Sequence, residues 1–304
     1  MGRRRVPEGI QRELRQACID PRTLNMDAQR MPSTYYSTGS SMDEFAVAGG
    51  VNFDFSFAFQ PIVNALTREV VSFEALVRGP GGEPSAEVFA RVPRENLYRF
   101  DQACRVKAIH VARRLNLRTG LNINLFPNAI HLTGMNIRAT LQASFQEGFP
   151  VENLIFEVSE AERLIHYSRV VEIFKSYEDF GFQTAIDDFG TGYSGLRMLA
   201  EYQPNYIKLD RNIIADIHEN HVKQTIVKGI GGICRQLCIE LIAEGVEKFE
   251  EYEWLHEAGI NIFQGYYFER AHARAPRSPS MPAELSVIRR SGSIAATAAR
   301  GESD

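Results

Sequence analysis

The feature that most limits what this chain can fold into is a recurrence of short apolar segments, each followed by a longer amphipathic one. Strand-like segments fall at 55–63, 69–77, 121–126, 154–158, 184–186, 206–209, 239–243 and 260–263. Helical periodicity fills many of the intervals, at 98–115, 168–180, 194–202, 222–237 and 250–258. Strands alternating with helices predict a mainly parallel sheet and an α/β fold. Eight strands over roughly 220 residues match the size of a TIM (β/α)8 barrel. Only Asn64-Ala65-Leu66-Thr67-Arg68 separates the first two strands, too few residues for a helical crossover. That pair is therefore expected to be antiparallel, giving a modified barrel with one reversed strand.

The ends of the chain lack this order. Residues 1–50 read as an N-terminal extension, with a short helix possible at 7–18 and a Ser- and Gly-rich linker near 37–41. The folded domain is expected over 51–273, and the Pro-, Ser-, Ala- and Arg-rich 274–304 reads as a disordered tail. A hydrophobic fraction of 44% allows a sizeable core, while a net charge of -4 and a pI of about 6.0 give no general attraction to DNA or anionic membranes. No stretch is apolar enough to span a membrane, and the basic start, Met1-Gly2-Arg3-Arg4-Arg5, is followed by charged residues rather than a signal-peptide core. Cys18, Cys104, Cys234 and Cys238 form no CxxC pair and no zinc spacing, which points to a reduced, cytoplasmic protein.

The polar residues with chemical potential share one location, at or just past the C-terminal ends of the strand candidates. They are Glu74, Asn124, Glu157, Asp187, Asp188, Lys208, Glu244 with Glu247 three residues on, and Gln264. In a β/α barrel those ends converge on the face where active sites are built. Any one of these residues alone reads as a turn or capping residue; agreement across seven strand ends does not. Carboxylates and amides without His or Cys make a hard-oxygen site suited to Mg²⁺ or Mn²⁺. Asp187 and Asp188 are adjacent, so on a regular strand they would face opposite ways. Both can serve one site only if the strand ends there, as Gly190 and Gly192 imply, and one carboxylate could then bridge two ions.

Together these segments resemble the EAL-domain family of cyclic-di-GMP phosphodiesterases. The likeness runs from about Phe55 to Phe268 through Gln60-Pro61-Ile62, Glu74-Ala75-Leu76 with Val77-Arg78, Asn124-Leu125, Glu157-Val158-Ser159-Glu160, and Asp187-Asp188-Phe189-Gly190-Thr191-Gly192-Tyr193-Ser194. It continues in Ile207-Lys208-Leu209-Asp210, Ala243-Glu244-Gly245-Val246-Glu247 and Gln264-Gly265-Tyr266. The resemblance implies two divalent cations, the first held by Glu74, Asn124, Glu157 and Asp187. The second would be held by Asp187, Asp188 and a water on Glu247. Lys208 and Glu244 would orient or deprotonate the attacking water, with the base left open between them, and Gln264 would fix a water or substrate oxygen. Gln60, Leu76, Arg78 and Asp210 would contact the substrate, and Glu160 would anchor the loop 188–194. The product would be linear pGpG. Family members often dimerise, and the helix after Ser194 would be the contact. The chain departs from the usual pattern at Phe126, at Ser194-Gly195 and at Glu269-Arg270-Ala271, none of which removes an expected metal ligand.

Two rival readings are distinguishable. Gly190-Thr191-Gly192-Tyr193-Ser194-Gly195 fits GxGxxG, but Asp187 and Asp188, separated from it only by Phe189, would repel a pyrophosphate. The stronger rival is a cyclic-di-GMP receptor or protein-interaction module without catalysis, controlled by a regulatory partner. Such members usually lack one or more metal carboxylates, and this chain keeps all the matching positions. His218 and His221 do not form HExxH and read as a solvated helix end, while Trp254 is expected in the outer helical layer.

Overall fold

A computed structural model describes residues 44–126, 135–160, 167–192 and 195–272. The expected helix at 7–18, the linker, the C-terminal tail and Tyr193-Ser194 of the loop lie outside these residues. Eight strands close a barrel in sequence order: β1 (Ser56–Asn64), β2 (Glu69–Arg78), β3 (Gly120–Asn124), β4 (Leu154–Ser159), β5 (Gln183–Phe189), β6 (Tyr206–Leu209), β7 (Glu240–Ala243) and β8 (Ile262–Phe263). β1 is antiparallel to both β2 and β8, and all the other pairs are parallel. The reversed strand follows from its short connection. The Asn64 side chain accepts from the amides of Leu66 and Thr67 at 2.9 and 3.2 Å, and Arg68 closes the turn at φ 61°.

Helices Leu97–Arg114, Met135–Glu147, Tyr167–Asp179, Gly195–Glu201, His221–Leu237 and Phe249–Glu257 connect the parallel strands. Asn220 caps the fifth by accepting from the amides of Val222 and Lys223. Cys238, at φ 58°, ends that helix in a left-handed turn. Met135–Glu147 has no counterpart among the sequence-based helices. Its buried face carries Ile137, Ala139, Thr140, Ala143 and Ser144, so small and polar residues blur the apolar period.

Strand alternation sorts the side chains between two layers. On β4, Phe156 packs outward onto Tyr177 and Phe182, with ring centroids 4.7 and 5.1 Å away. Its neighbours Ile155 and Glu157 are thereby turned to the barrel interior. Ile62, Ile242 and Ile262, with Val71 and Tyr206, form an interior plug. The plug lies at the N-terminal ends of the parallel strands and leaves the opposite end to polar residues.

Upstream of β1, Glu44–Ala48 is helical and packs on Leu97–Arg114. Phe45 is buried with its ring centroid 5.6 Å from that of His110, and Asn96 donates to the Gly50 carbonyl at 2.8 Å. Beyond β8 the chain returns across β1, where Phe59 and His272 exchange backbone hydrogen bonds of 2.8 and 3.0 Å. Among the described residues, no helix is long and apolar enough to cross a membrane.

Candidate active site

The strand ends gather a buried acidic cluster around one lysine. Lys208, on β6, has no exposed surface. Its ammonium lies 2.9 Å from Asp187 Oδ1, 3.2 Å from Glu74 Oε2, 3.2 Å from Glu244 Oε2 and 3.3 Å from Glu157 Oε2. β2, β4, β5 and the residue after β7 each supply one carboxylate. Amides fill the gaps: Asn124 Nδ2 donates to Glu74 Oε1 at 2.9 Å and Gln264 Nε2 donates to Glu74 Oε2 at 2.6 Å.

One ammonium cannot neutralise four carboxylates, and the protonation equilibria show the strain. Burial, reinforced by Glu74 and Asp187, pushes Glu157 up to about 8 despite Lys208. Burial also holds Glu244 well above the usual carboxylate range, against the pull of Lys208. Asp187 moves down: burial would raise it, but Lys208 and hydrogen bonds outweigh that effect. Lys208 itself is pushed well above its ordinary value, because the surrounding carboxylates overcome its burial. With one internal counter-ion the site therefore resists full ionisation: Glu157 and Glu244 favour their protonated forms until further positive charge arrives.

Asp187 and Asp188 share this region by a route the sequence did not show. β5 does not end at Ile186; it continues to Phe189. Ile186 pairs with Ile207 and Phe189 with Leu209, so two aspartates stand opposite Lys208 alone. This is a β-bulge, and Asp188 takes its left-handed conformation at φ 53°, which Asp tolerates better than most residues. Asp188 Oδ2 accepts from Ser159 Oγ at 2.7 Å, and burial followed by the Asp187 charge raises its pKa.

The remaining expected residues divide into two groups. Gln60 stands opposite Glu74 in the β1–β2 register; its Oε1 lies 3.4 Å from Gln264 Nε2. Leu76 is half-buried two residues beyond Glu74. Glu160 is buried, and its two oxygens accept from the amides of Gly190 and Gly195 at 2.6 Å each, so it ties together both ends of that loop. Three residues are engaged elsewhere. Arg78 donates to the adjacent Val77 carbonyl at 2.9 Å. Asp210 caps the helix Arg211–Ile214 through the Asn212 amide at 2.8 Å. Glu247 stands outside the buried cluster and pairs with Arg211 at 2.9 Å.

Sequence reasoning passed over Asn122, Ser159, Arg211 and Glu251. Asn122 is fully buried and donates to Glu157 Oε1 at 2.7 Å. Its signal was available: it lies two residues before Asn124, hence on the same face of an otherwise apolar strand.

Carboxylate oxygens of Glu74, Glu157 and Asp187 lie within 4.8 Å of one another. Such a spacing, the all-oxygen donor set, and a buried Gln264 Oε1 lacking a hydrogen-bond partner fit a divalent cation. In the present arrangement the Asn124 amide nitrogen, not its oxygen, faces Glu74.

Fold and site together define a mixed-sheet α/β barrel whose strand ends carry a buried, carboxylate-rich centre. Within that class the chain belongs to the EAL domain family, whose model matches residues 48–271. It is similar to the blue light- and temperature-regulated antirepressor BluF of Escherichia coli K12, 32% identical over 74% of this chain and 56% of that protein. It also resembles the probable cyclic di-GMP phosphodiesterase PdeD of the same organism, 30% identical over 71% of this chain and 41% of PdeD. The chain thus spans little more than half of the first relative and less than half of the second. Among solved structures, a standalone versatile EAL protein from Vibrio cholerae O395 in its cyclic-di-GMP-bound form superposes with a TM-score of 0.74 at 46% identity, covering 78% of this chain and 99% of that one. A manganese and cyclic-di-GMP complex of Klebsiella pneumoniae BlrP1 gives a TM-score of 0.69 at 37% identity, covering 72% and 56%.

Proposed function

We propose that this chain hydrolyses cyclic di-GMP to linear pGpG, using two divalent cations, Mg²⁺ or Mn²⁺. The carrying observation is the buried cluster of Glu74, Glu157, Asp187 and Glu244 around Lys208, an anionic centre at the end of the barrel where such folds bind ligands. Relatives named as cyclic di-GMP phosphodiesterases, and a related structure holding manganese with cyclic di-GMP, support the substrate and the cations.

Glu74, Glu157, Asp187 and the Asn124 oxygen, after an amide rotation, would hold one cation; Asp187, Asp188 and a water on Glu247 would hold the other. When bound, the cations supply positive charge to the phosphodiester and favour ionisation of water. Lys208, kept as an ammonium by the carboxylates around it, would orient the attacking water, and Glu244 would receive its proton. Water oxygen adds to one phosphorus as one ester bond breaks, and the departing 3′ oxygen is protonated. Gln264 and Gln60 form a polar edge for a substrate oxygen, Leu76 and Asp210 would flank the nucleotide, and Arg78 offers a guanidinium for phosphate if it leaves the Val77 carbonyl. Glu160 holds the loop at 190 and 195.

The assembly we favour is a homodimer in the cytoplasm. Leu196, on Gly195–Glu201, is 65% exposed, and Val222 and Ile226 on the next long helix add apolar surface. Sedimentation equilibrium of the purified chain tests this, with a monomer at all concentrations contradicting it.

Chromatography of cyclic di-GMP incubated with the chain in Mg²⁺ or Mn²⁺, against EDTA, tests the activity. Metal-dependent linear pGpG is expected. Intact substrate under every condition, together with saturable binding, would instead establish a receptor, a reading favoured by the likeness to a protein named as an antirepressor.

A further inference from the structure

Arg211 lies three residues beyond Lys208, at the start of the short helix Arg211–Ile214. It reaches across to the segment that follows β7. Its Nη1 donates to the Gly245 carbonyl and lies 3.5 Å from Glu251 Oε2, while its Nη2 lies 2.9 Å from Glu247 Oε2. The stem is part of the same contact. Gly245 sits at φ 73°, and a Cβ there would come within 2.9 Å of Arg211 Cβ. The backbone after β7 is therefore laid directly on the arginine side chain.

Glu251 fixes the other side. It is fully buried, and its carboxylate accepts from the amides of Asp216 at 3.0 Å, Glu247 at 3.0 Å and Lys248 at 3.2 Å. Those bonds tie the chain after β6 to the chain after β7. Val246 donates to the Gln264 carbonyl at 3.0 Å, which extends the connection to the segment after β8. Glu247 is thus gripped at its backbone by Glu251 and at its side chain by Arg211, within a segment that begins at Glu244.

We propose that Arg211, backed by Glu251, is a positioning residue that sets Glu247 in place before any cation arrives. A forked guanidinium can meet the Gly245 carbonyl and two carboxylates together, which a lysine cannot. Pre-setting a carboxylate lowers the ordering cost of binding a cation through it, and loss of such outer support typically weakens metal affinity about tenfold or more. The inference rests on the phosphodiesterase reading for its effect on turnover and not for its effect on cation binding.

The test compares full-length wild type, Arg211→Met and Arg211→Lys by Mn²⁺ binding followed by electron paramagnetic resonance, by cyclic di-GMP turnover against Mn²⁺ concentration, and by thermal melting in EDTA. Arg211→Met should bind Mn²⁺ and reach half-maximal turnover at about tenfold higher concentration, recovering most of the wild-type rate at saturation. Arg211→Lys should fall between the two. Melting in EDTA should stay within about 4 °C of wild type, because the Arg211–Glu247 pair is half-exposed and the buried Glu251 keeps its three amide hydrogen bonds. Unchanged Mn²⁺ dependence in Arg211→Met would overturn the proposal. So would a loss at every Mn²⁺ concentration that tracks a large fall in melting temperature. A wild type that binds Mn²⁺ without turnover would overturn the phosphodiesterase reading, and the binding curves alone would then decide the clasp. A wild type that binds no Mn²⁺ would overturn both.

Discussion

Glu74 meets Lys208, Asn124 and Gln264 at once, so it joins three strand ends to the charge centre. Glu74→Ala removes a proposed cation ligand and also relieves like-charge crowding around a buried ammonium. We expect its turnover to fall by at least about a hundredfold while the metal-free melting temperature holds or rises. Parallel turnover and melting measurements check this, and full activity at the usual Mn²⁺ requirement would contradict it. At this scale the sequence was informative because charged and amide residues interrupt apolar strands, where burial makes them costly unless they serve a site. The partners of those residues were less visible. Glu251 lies on a charge-rich helix and Arg211 opens a helix of four residues, and only the fold shows that Glu251 is buried and that Arg211 reaches Gly245.

Two elements carry information that periodicity does not. The β5 bulge is one. Because Asp188 sits at φ 53°, a β-branched residue there should be strained. Asp188→Val is expected to lose about 1–2 kcal/mol of stability, and Asp188→Asn, which tolerates the conformation, to lose little. Denaturant unfolding of the pair checks this, and equal losses would contradict the bulge. Bulges escape sequence reading because the pattern of residue types is unchanged; here the glycines at 190 and 192 gave the right region and the wrong cause. The helix Leu97–Arg114 is the other. Its buried Lys107 donates to the Phe55 carbonyl and lies 4.3 Å from the Phe55 ring centroid. Burial pushes its amine down from 10.5 to about 8. Between those values the unfolded chain binds a proton that the folded chain does not, so stability rises with pH across this window and carries the full desolvation cost below it. Wild type should therefore gain on Lys107→Met as pH climbs from 8 to 10, and parallel unfolding curves at the two pH values would refute this.

For the whole molecule, the barrel and its reversed strand were legible because both follow from counting: eight apolar segments and one connection too short for a helix. The upstream boundary was not. Five residues, Glu44–Ala48, give too little periodicity to mark a helix, yet Phe45 is part of the core. We propose that the folded unit begins near residue 44. A chain starting at residue 44 should melt like the full chain, whereas one starting at residue 46 should lose roughly 3 kcal/mol with the Phe45 ring. Equal stability of the two would place the boundary further downstream.

On the proposed function, the carboxylates around Lys208 form a cation centre. Crystals grown with Mn²⁺ and measured for anomalous scattering test it most directly. A strong manganese peak is expected among the carboxylates of Glu74, Glu157 and Asp187. Well-ordered density for those side chains with no peak between them, or manganese only at other sites, would contradict it.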